Sequence, residues 1–287
     1  MTNCLADEFP HTELLKEALR SDVERALAED VGSGDLSAQL IDPSATADAR
    51  VISREHGVFC GVPWVSEICQ QSAGAFDVEW LTQDGATIAA NTELLRLRGS
   101  ARTLLTIERT MLNFLQLLSG TATAAHKFAE LIRDYPTQLL DTRKTIPGLR
   151  LAQKFAVFCG GAHNHRIGLF DAYLLKENHI AAAGGIAPAI ARAQAMAPGR
   201  TVEVEVESLA ELDVAIAAGA DIVMLDNFTL GDTRAAVEQA AGRTRLEASG
   251  NITEDTITEI AATGVDYISV GAITKRVTPL DLSMRFV

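Results

Sequence analysis

The sequence predicts an α/β protein in two parts, the second of them a barrel of parallel strands wrapped by helices. Three observations predict it. Val/Ile/Leu-rich runs recur at 137–142, 172–177, 201–207, 221–227, 245–250 and 267–273, and between most of them lie Ala-rich stretches of helical spacing at 186–196, 209–218, 232–241 and 253–263. Such alternation builds parallel strands through right-handed crossovers. Val202-Glu203-Val204-Glu205-Val206-Glu207 then sets three carboxylates on one face and three valines on the other. In an open sheet the acidic face is a solvated edge; in a barrel the valines pack outward on helices and the glutamates point inward. Buried carboxylates need cations or donors, and other strands supply them, so the barrel is favoured. Finally, polar residues gather at the carboxyl ends of the predicted strands, where barrel enzymes place their active sites.

Taken in order, the acidic, polar residues 1–13 carry no basic start or apolar run, so no secretory signal is expected. No stretch is apolar for long enough to span a bilayer, and a cytoplasmic location is the expectation. Ser21 and Glu24 read as a capping box opening a helix with Val23, Ala26 and Leu27 on its apolar side. Runs at 49–53, 76–81 and 93–98 read as strands of a mixed layer. A helix from about 100 to 120 follows, its buried stripe formed by Leu104, Leu105, Met111, Leu112, Leu115 and Leu118. Arg102, Arg109, Asn113 and Gln116 share its other face, which reads as solvent-exposed. In the second part Ser208 and Glu211 form a capping box, and Gly219 and Gly264 stand where helices should stop.

The net charge of −13, from 25 basic and 38 acidic residues among 287, argues against nucleic acid or an anionic membrane as partner. A cationic cluster in such a chain needs a local reason. Cys4, Cys60, Cys69 and Cys159 form no Cys-x-x-Cys pair and read as free thiols in a reducing compartment.

The strand ends carry Asp141-Thr142-Arg143-Lys144, Lys176-Glu177-Asn178-His179, Glu205 or Glu207, Asp226-Asn227, Glu247, Ser249-Gly250-Asn251 and Gly271. Arg143, Lys144, Arg166 and Lys176 lie at strand ends or in a glycine-rich loop and suit a multiply negative ligand, arginine's planar fork matching a carboxylate. Ser249-Gly250-Asn251 and Gly271-Ala272, in the last two loops, form a berth for phosphate on backbone N–H groups. Cys159, His163 and His165 lack a convincing fourth partner for zinc, and His165 reads instead as a donor to an anion. Glu205 and Asp226 suit either magnesium or sugar hydroxyls. There is no P-loop, dinucleotide fingerprint or Gly-x-Ser-x-Gly elbow.

Asp141-Thr142-Arg143-Lys144-Thr145-Ile146-Pro147-Gly148-Leu149-Arg150 closely resembles the signature of the quinolinate phosphoribosyltransferases, the decarboxylating enzymes of NAD biosynthesis. Asn164-His165-Arg166-Ile167-Gly168-Leu169, Leu175-Lys176-Glu177-Asn178-His179-Ile180, Glu203–Glu207, Met224–Phe228, Ala248–Asn251 and Ser269–Ala272 continue the likeness in order. Glu29–Asp35, Gly57–Gly61 and Glu108–Asn113 extend it into the first part, so it covers nearly the whole chain.

The resemblance implies an N-terminal α/β sandwich over residues 1–120, an incomplete α/β barrel over 121–275, and a tail, 276–287, packing back on the first domain. It also implies a homodimer, with higher assembly left open, in which Arg109 enters the partner's active site. Arg143, His165, Arg166 and Lys176 would bind the two carboxylates of quinolinate, and Lys144 adds a further cation toward pyrophosphate. Glu205 and Asp226 would approach the ribose and its Mg2+, and Ser249, Gly250, Asn251, Gly271 and Ala272 the 5-phosphate. One departure is Gly160-Gly161-Ala162-His163, where the family usually has a third glycine, which puts the loop's geometry in question. The implied reaction joins quinolinate to phosphoribosyl pyrophosphate with loss of CO2. The alternatives are a related transferase acting on nicotinate, a non-catalytic binder of a phosphorylated ligand, and a phosphosugar isomerase barrel, which would leave the cations unexplained.

Overall fold

A computed structural model of the chain describes residues 5–287; Cys4 lies outside them. The chain divides into two compact units. One comprises the residues up to His126 together with Thr145–Gly161 and Ile273–Val287, and the other Lys127–Lys144 and Ala162–Ala272. The division crosses the chain several times, where the sequence reading set boundaries after residues 120 and 275.

The first unit is built on a four-stranded antiparallel sheet. Its strands run in the order Leu282–Phe286, Thr46–Ser53, Glu93–Ser100, Phe76–Trp80. The C-terminal strand pairs with Thr46–Ser53, the packing expected for the tail. Val51, Leu95, Leu97 and Leu282 fill the buried face, while Arg50, Arg96 and Arg98 are exposed on the other. Phe155, from helix Arg150–Cys159, belongs to this core: its ring lies 5.7 Å from Trp64 and 5.6 Å from Phe9. That burial draws 145–161 into the first unit, since large apolar side chains removed from water dominate the packing.

Two helices differ from expectation. The Ser21–Glu24 box opens nothing, because one helix runs unbroken through Thr12–Val31. It is anchored earlier, by Thr12 Oγ1 donating to Phe9 O at 2.6 Å, and Leu15 and Val23 lie buried on one side. The next long helix is Ala101–Leu131, well past Gly120. That glycine does not end the helix: a Cβ there would stand 2.2 Å from Thr278 O, so it serves a close approach of backbone. Leu105 is exposed at 37% and leaves the predicted stripe, whereas Leu104, Met111, Leu112, Leu115 and Leu118 are buried. Arg102 and Gln116 are not idle on the polar face, for they donate to Ile41 O and Leu282 O.

A buried carboxylate supports this unit. Asp84 Oδ1 accepts the N–H groups of Gly61 and Val62 at 2.7 and 3.1 Å, at the start of helix Val62–Gln71. Burial nevertheless raises its pKa to about 6, against the pull of those two bonds. A raised carboxyl pKa means stability that is complete below about pH 3.8 and lost as pH rises through about 6. Asp84→Asn keeps the accepting oxygen and removes the desolvated charge. It should raise the melting temperature at pH 8, by the equivalent of about 1–2 kcal/mol, and change little at pH 4. Calorimetry at the two pH values checks this; equal shifts at both would show that the charge is not the cost. Cys60, Cys69 and Cys159 form no disulfide, and burial pushes the Cys60 thiol up. No helix among the described residues is long and apolar enough to cross a membrane.

The second unit is the expected α/β barrel, left incomplete. Its six parallel strands run in the order Gln138–Leu140, Tyr267–Ser269, Arg245–Ser249, Ile222–Asp226, Val202–Val206, Tyr173–Leu175. Val202, Val204 and Val206 are fully buried, as an outer face covered by helices requires. Glu203 points inward at 3% exposure, and Glu205 inward above it. Glu207 does not join them: the strand ends at Val206, and Glu207 is exposed, its N–H donating to Glu211 Oε2 at 2.7 Å. Ser208 caps helix Leu209–Ala217 by accepting from Glu211 N, and Gly219 and Gly264 both take left-handed φ.

Candidate active site

The carboxyl ends of the barrel strands bring most of the predicted residues together. Asp141, just past strand Gln138–Leu140, is fully buried. Its Oδ1 accepts the His165 N–H and its Oδ2 accepts Asn164 Nδ2, both at 2.8 Å. The Asn164-His165-Arg166 segment is thus tied to the end of the first barrel strand. His163 contributes backbone alone, bridging to Leu140 as a parallel neighbour. Its side chain is exposed, and neither it nor Ala162 takes a positive φ, so the departure at Ala162-His163 sits without backbone strain.

Arg143 and Arg166 share one region. Arg166 is pulled below its ordinary pKa by burial and by the Arg143 charge, while Glu203 and Asp171 partly offset them. Arg143 Nε is buried and donates to no protein acceptor. Two crowded guanidinium groups, one with a buried donor that meets no protein acceptor, suit an anion. Lys176, at the end of strand Tyr173–Leu175, forms a short ion pair with Glu205. Lys144 lies over Gly271, where a Cβ would stand 3.0 Å from its Cδ.

Asp226 and Asn227 close the far side. Asn227 adopts φ 56°, a conformation few side-chain-bearing residues take. Its Nδ2 donates to Asp226 Oδ2 at 2.9 Å, and its Oδ1 accepts from Asn251 Nδ2 at 3.5 Å. Gly250, at φ 107°, passes so close that a Cβ would meet Asn227 Oδ1 at 2.2 Å. The Ser249–Asn251 turn is therefore fixed by Asn227, and the following helix begins only at Ile257, so any anion held here meets loop backbone. Ala272 opens a single helical turn, Ala272–Lys275.

Beneath the cations the barrel interior holds His165, Glu203 and Glu247, whose potential ligand atoms lie within 4.8 Å of one another. Burial, then the neighbouring Glu203 charge, raises the Glu247 pKa to about 8. The sequence places Glu247 among the strand-end polar groups, yet it is fully buried below them. Asp141, Glu203, Asn227 and Glu247 are the residues whose parts the sequence reading missed; the positive φ of Asn227 is a backbone signal invisible in sequence. Arg109 is exposed on helix Ala101–Leu131 of the first unit.

Comparison with known proteins agrees along most of the chain. The quinolinate phosphoribosyl transferase N-terminal domain matches residues 35–119, and the C-terminal domain of the same family matches 121–285. A probable nicotinate-nucleotide pyrophosphorylase [carboxylating] from Synechocystis is 41% identical over 92% of this chain and 91% of its own. The nicotinate-nucleotide pyrophosphorylase [carboxylating] of Mycobacterium leprae is 39% identical over 93% and 97%. Among solved structures, the nicotinate-nucleotide pyrophosphorylase from Francisella tularensis superposes with a TM-score of 0.92 at 51% identity, covering 94% of this chain and 96% of that one. The chain belongs to the quinolinate phosphoribosyl transferase family.

Proposed function

We propose that the protein transfers phosphoribosyl from phosphoribosyl pyrophosphate to quinolinate with decarboxylation, giving nicotinate mononucleotide, pyrophosphate and CO2, as a cytoplasmic step of NAD biosynthesis. The observation that carries this reading is the crowded pair Arg143 and Arg166, with Arg143 Nε buried and unbonded. It answers to a dianionic acceptor. Arg143, Arg166 and Lys176 hold the two carboxylates, with His165 at the floor of the site. Arg109 of a second copy completes the cluster in a homodimer, which gives a role to an arginine exposed on helix Ala101–Leu131.

Ser249, Gly250, Asn251, Gly271 and Ala272 hold the 5-phosphate on loop backbone, and Lys144, over Gly271, faces the pyrophosphate. As the pyrophosphate leaves with its bonding electrons, positive charge grows on the ribose, and Glu205 and Asp226 stabilise it. The pyridine nitrogen forms the new bond to the anomeric carbon. The carboxylate beside it then leaves as CO2, its electron pair held by the cationic ring until that carbon takes a proton. Glu205 and Asp226 are an oxygen-only donor set on adjacent strands, which fits Mg2+. Because Lys176 already engages Glu205, Asp226 is the more open of the two. Held there, magnesium would supply charge neutralisation on the pyrophosphate; the chain supplies orientation and the remaining charge.

The test is product formation by purified protein with Mg2+, phosphoribosyl pyrophosphate and either quinolinate or nicotinate. Turnover of quinolinate alone, with CO2 released, is expected. Turnover of nicotinate alone would move the function to the related transferase, and silence with both would favour a binding protein.

A further inference from the structure

Below the anion site lies a set of polar groups that the proposed reaction does not use. Glu203 and Glu247 stand on strands flanking Ile222–Asp226, with side chains 4% and 1% exposed. His165 Nε2 is 3.0 Å from Glu203 Oε2 and 3.5 Å from Glu247 Oε2. On its other side, His165 Nδ1 accepts the backbone N–H of Arg166 at 2.7 Å. An accepting Nδ1 carries no proton, so Nε2 does, and it points down between the two acids. Glu203 Oε1 and both oxygens of Glu247 complete no hydrogen bond and are shut away from solvent.

An acid pair buried in this way is costly, and apolar side chains of similar size would serve stability at least as well. Its position points elsewhere. The imidazole that the acids grip is bonded to the backbone of Arg166, and Arg166 feels the Glu203 charge. The pair's contacts are with His165, Arg166 and Ser269 rather than with the Ser249–Asn251 turn or Gly271.

We propose that Glu203 and Glu247 are positioning residues: they clamp the His165 imidazole from below and so set the stance of Arg166 toward the dicarboxylate acceptor. This rests on the acceptor site described above. It adds a specificity layer to that site, acting on the acceptor and not on the phosphoribosyl donor.

The experiment joins steady-state kinetics with 15N NMR of the histidine rings. Glu203→Leu should raise KM for quinolinate at least tenfold and leave KM for phosphoribosyl pyrophosphate within about threefold. Glu203→Gln, which keeps an accepting oxygen under Nε2–H, should return to within about threefold of the parent. Should the leucine variant not fold, Glu203→Asp withdraws the oxygen by one methylene and reads the same way. The parent's His165 signal should be that of the neutral ring protonated at Nε2, and removing both acceptors in Glu203→Leu with Glu247→Leu should release the ring from the Arg166 N–H and so mix the tautomers. Equal rises in both KM values, or a tautomer indifferent to these changes, would overturn the proposal. So would stoichiometric metal in the purified protein that is lost in His165→Asn, since the same three groups would then be a metal site. If the parent uses nicotinate instead of quinolinate, the functional reading fails by itself, and the tautomer still decides the clamp.

Discussion

Arg143→Ala should lower kcat/KM for quinolinate by about a thousandfold while the melting temperature holds or rises slightly. The size follows from the loss of a desolvated, charge-assisted contact to a carboxylate, which costs about 2–5 kcal/mol, or roughly 30- to 4000-fold. The unusual part is the neutral effect on stability. Arg143 Nε has no protein acceptor, and the Arg143 charge depresses its neighbour Arg166. Removing it therefore breaks nothing at that nitrogen and relieves a like-charge contact. Arg166→Ala should lose activity similarly, at a small cost in stability, since it gives up one long bond to Ala172 O at 3.4 Å. Arg143→Lys should recover only part, because an ammonium lacks the planar fork. Steady-state kinetics with each substrate varied, together with calorimetry, decides the matter. Normal turnover and quinolinate affinity in the alanine variant would remove Arg143 from the site.

How much of this was legible before the fold is best seen at particular residues. The valine–glutamate alternation at 202–206 predicts a barrel strand, because period two on a sheet covered by helices admits one orientation. The cations were legible for the same reason: once strand ends are placed, side chains just beyond them must converge. The misreadings have a common origin in local signals that tertiary packing overrode. Ser21-x-x-Glu24 has the spacing of a cap, but Leu15 and Val23 bury along one continuous helix. Gly120 resembles a stop but admits Thr278. The His165–Glu203–Glu247 cluster could not be read at all. It depends on register, in which Glu203 lies beside Ile222 and Glu247 beside Met224, and on the loop that lowers His165 between them. Nothing within a short stretch of sequence encodes that juxtaposition.

Asp141 should show the opposite profile from Arg143, with stability and activity falling together. Both of its oxygens hold one loop, accepting from His165 N and Asn164 Nδ2, and its own N–H donates to His163 O at 3.1 Å. It is fully buried, so nothing replaces those bonds with water. Asp141→Ala leaves at least two buried donors unpaired, at about 1–3 kcal/mol each, and should lower the melting temperature by roughly 5–10 °C. Asp141→Asn is the sharper test. It preserves shape but turns one acceptor into a donor that faces either the His165 N–H or the Asn164 amide. Asn164 can rotate its amide to offer an oxygen; the backbone N–H of His165 cannot. The asparagine variant should therefore settle with its oxygen toward His165, keep most of its stability, and lose activity by about tenfold to a hundredfold as Arg166 loses its fixed stance. Should Asp141→Ala unfold no more readily than the parent, the anchoring of the Asn164–Arg166 loop would have to come from the His165 clamp below it, and the Glu203 variants would then become the ones that melt early.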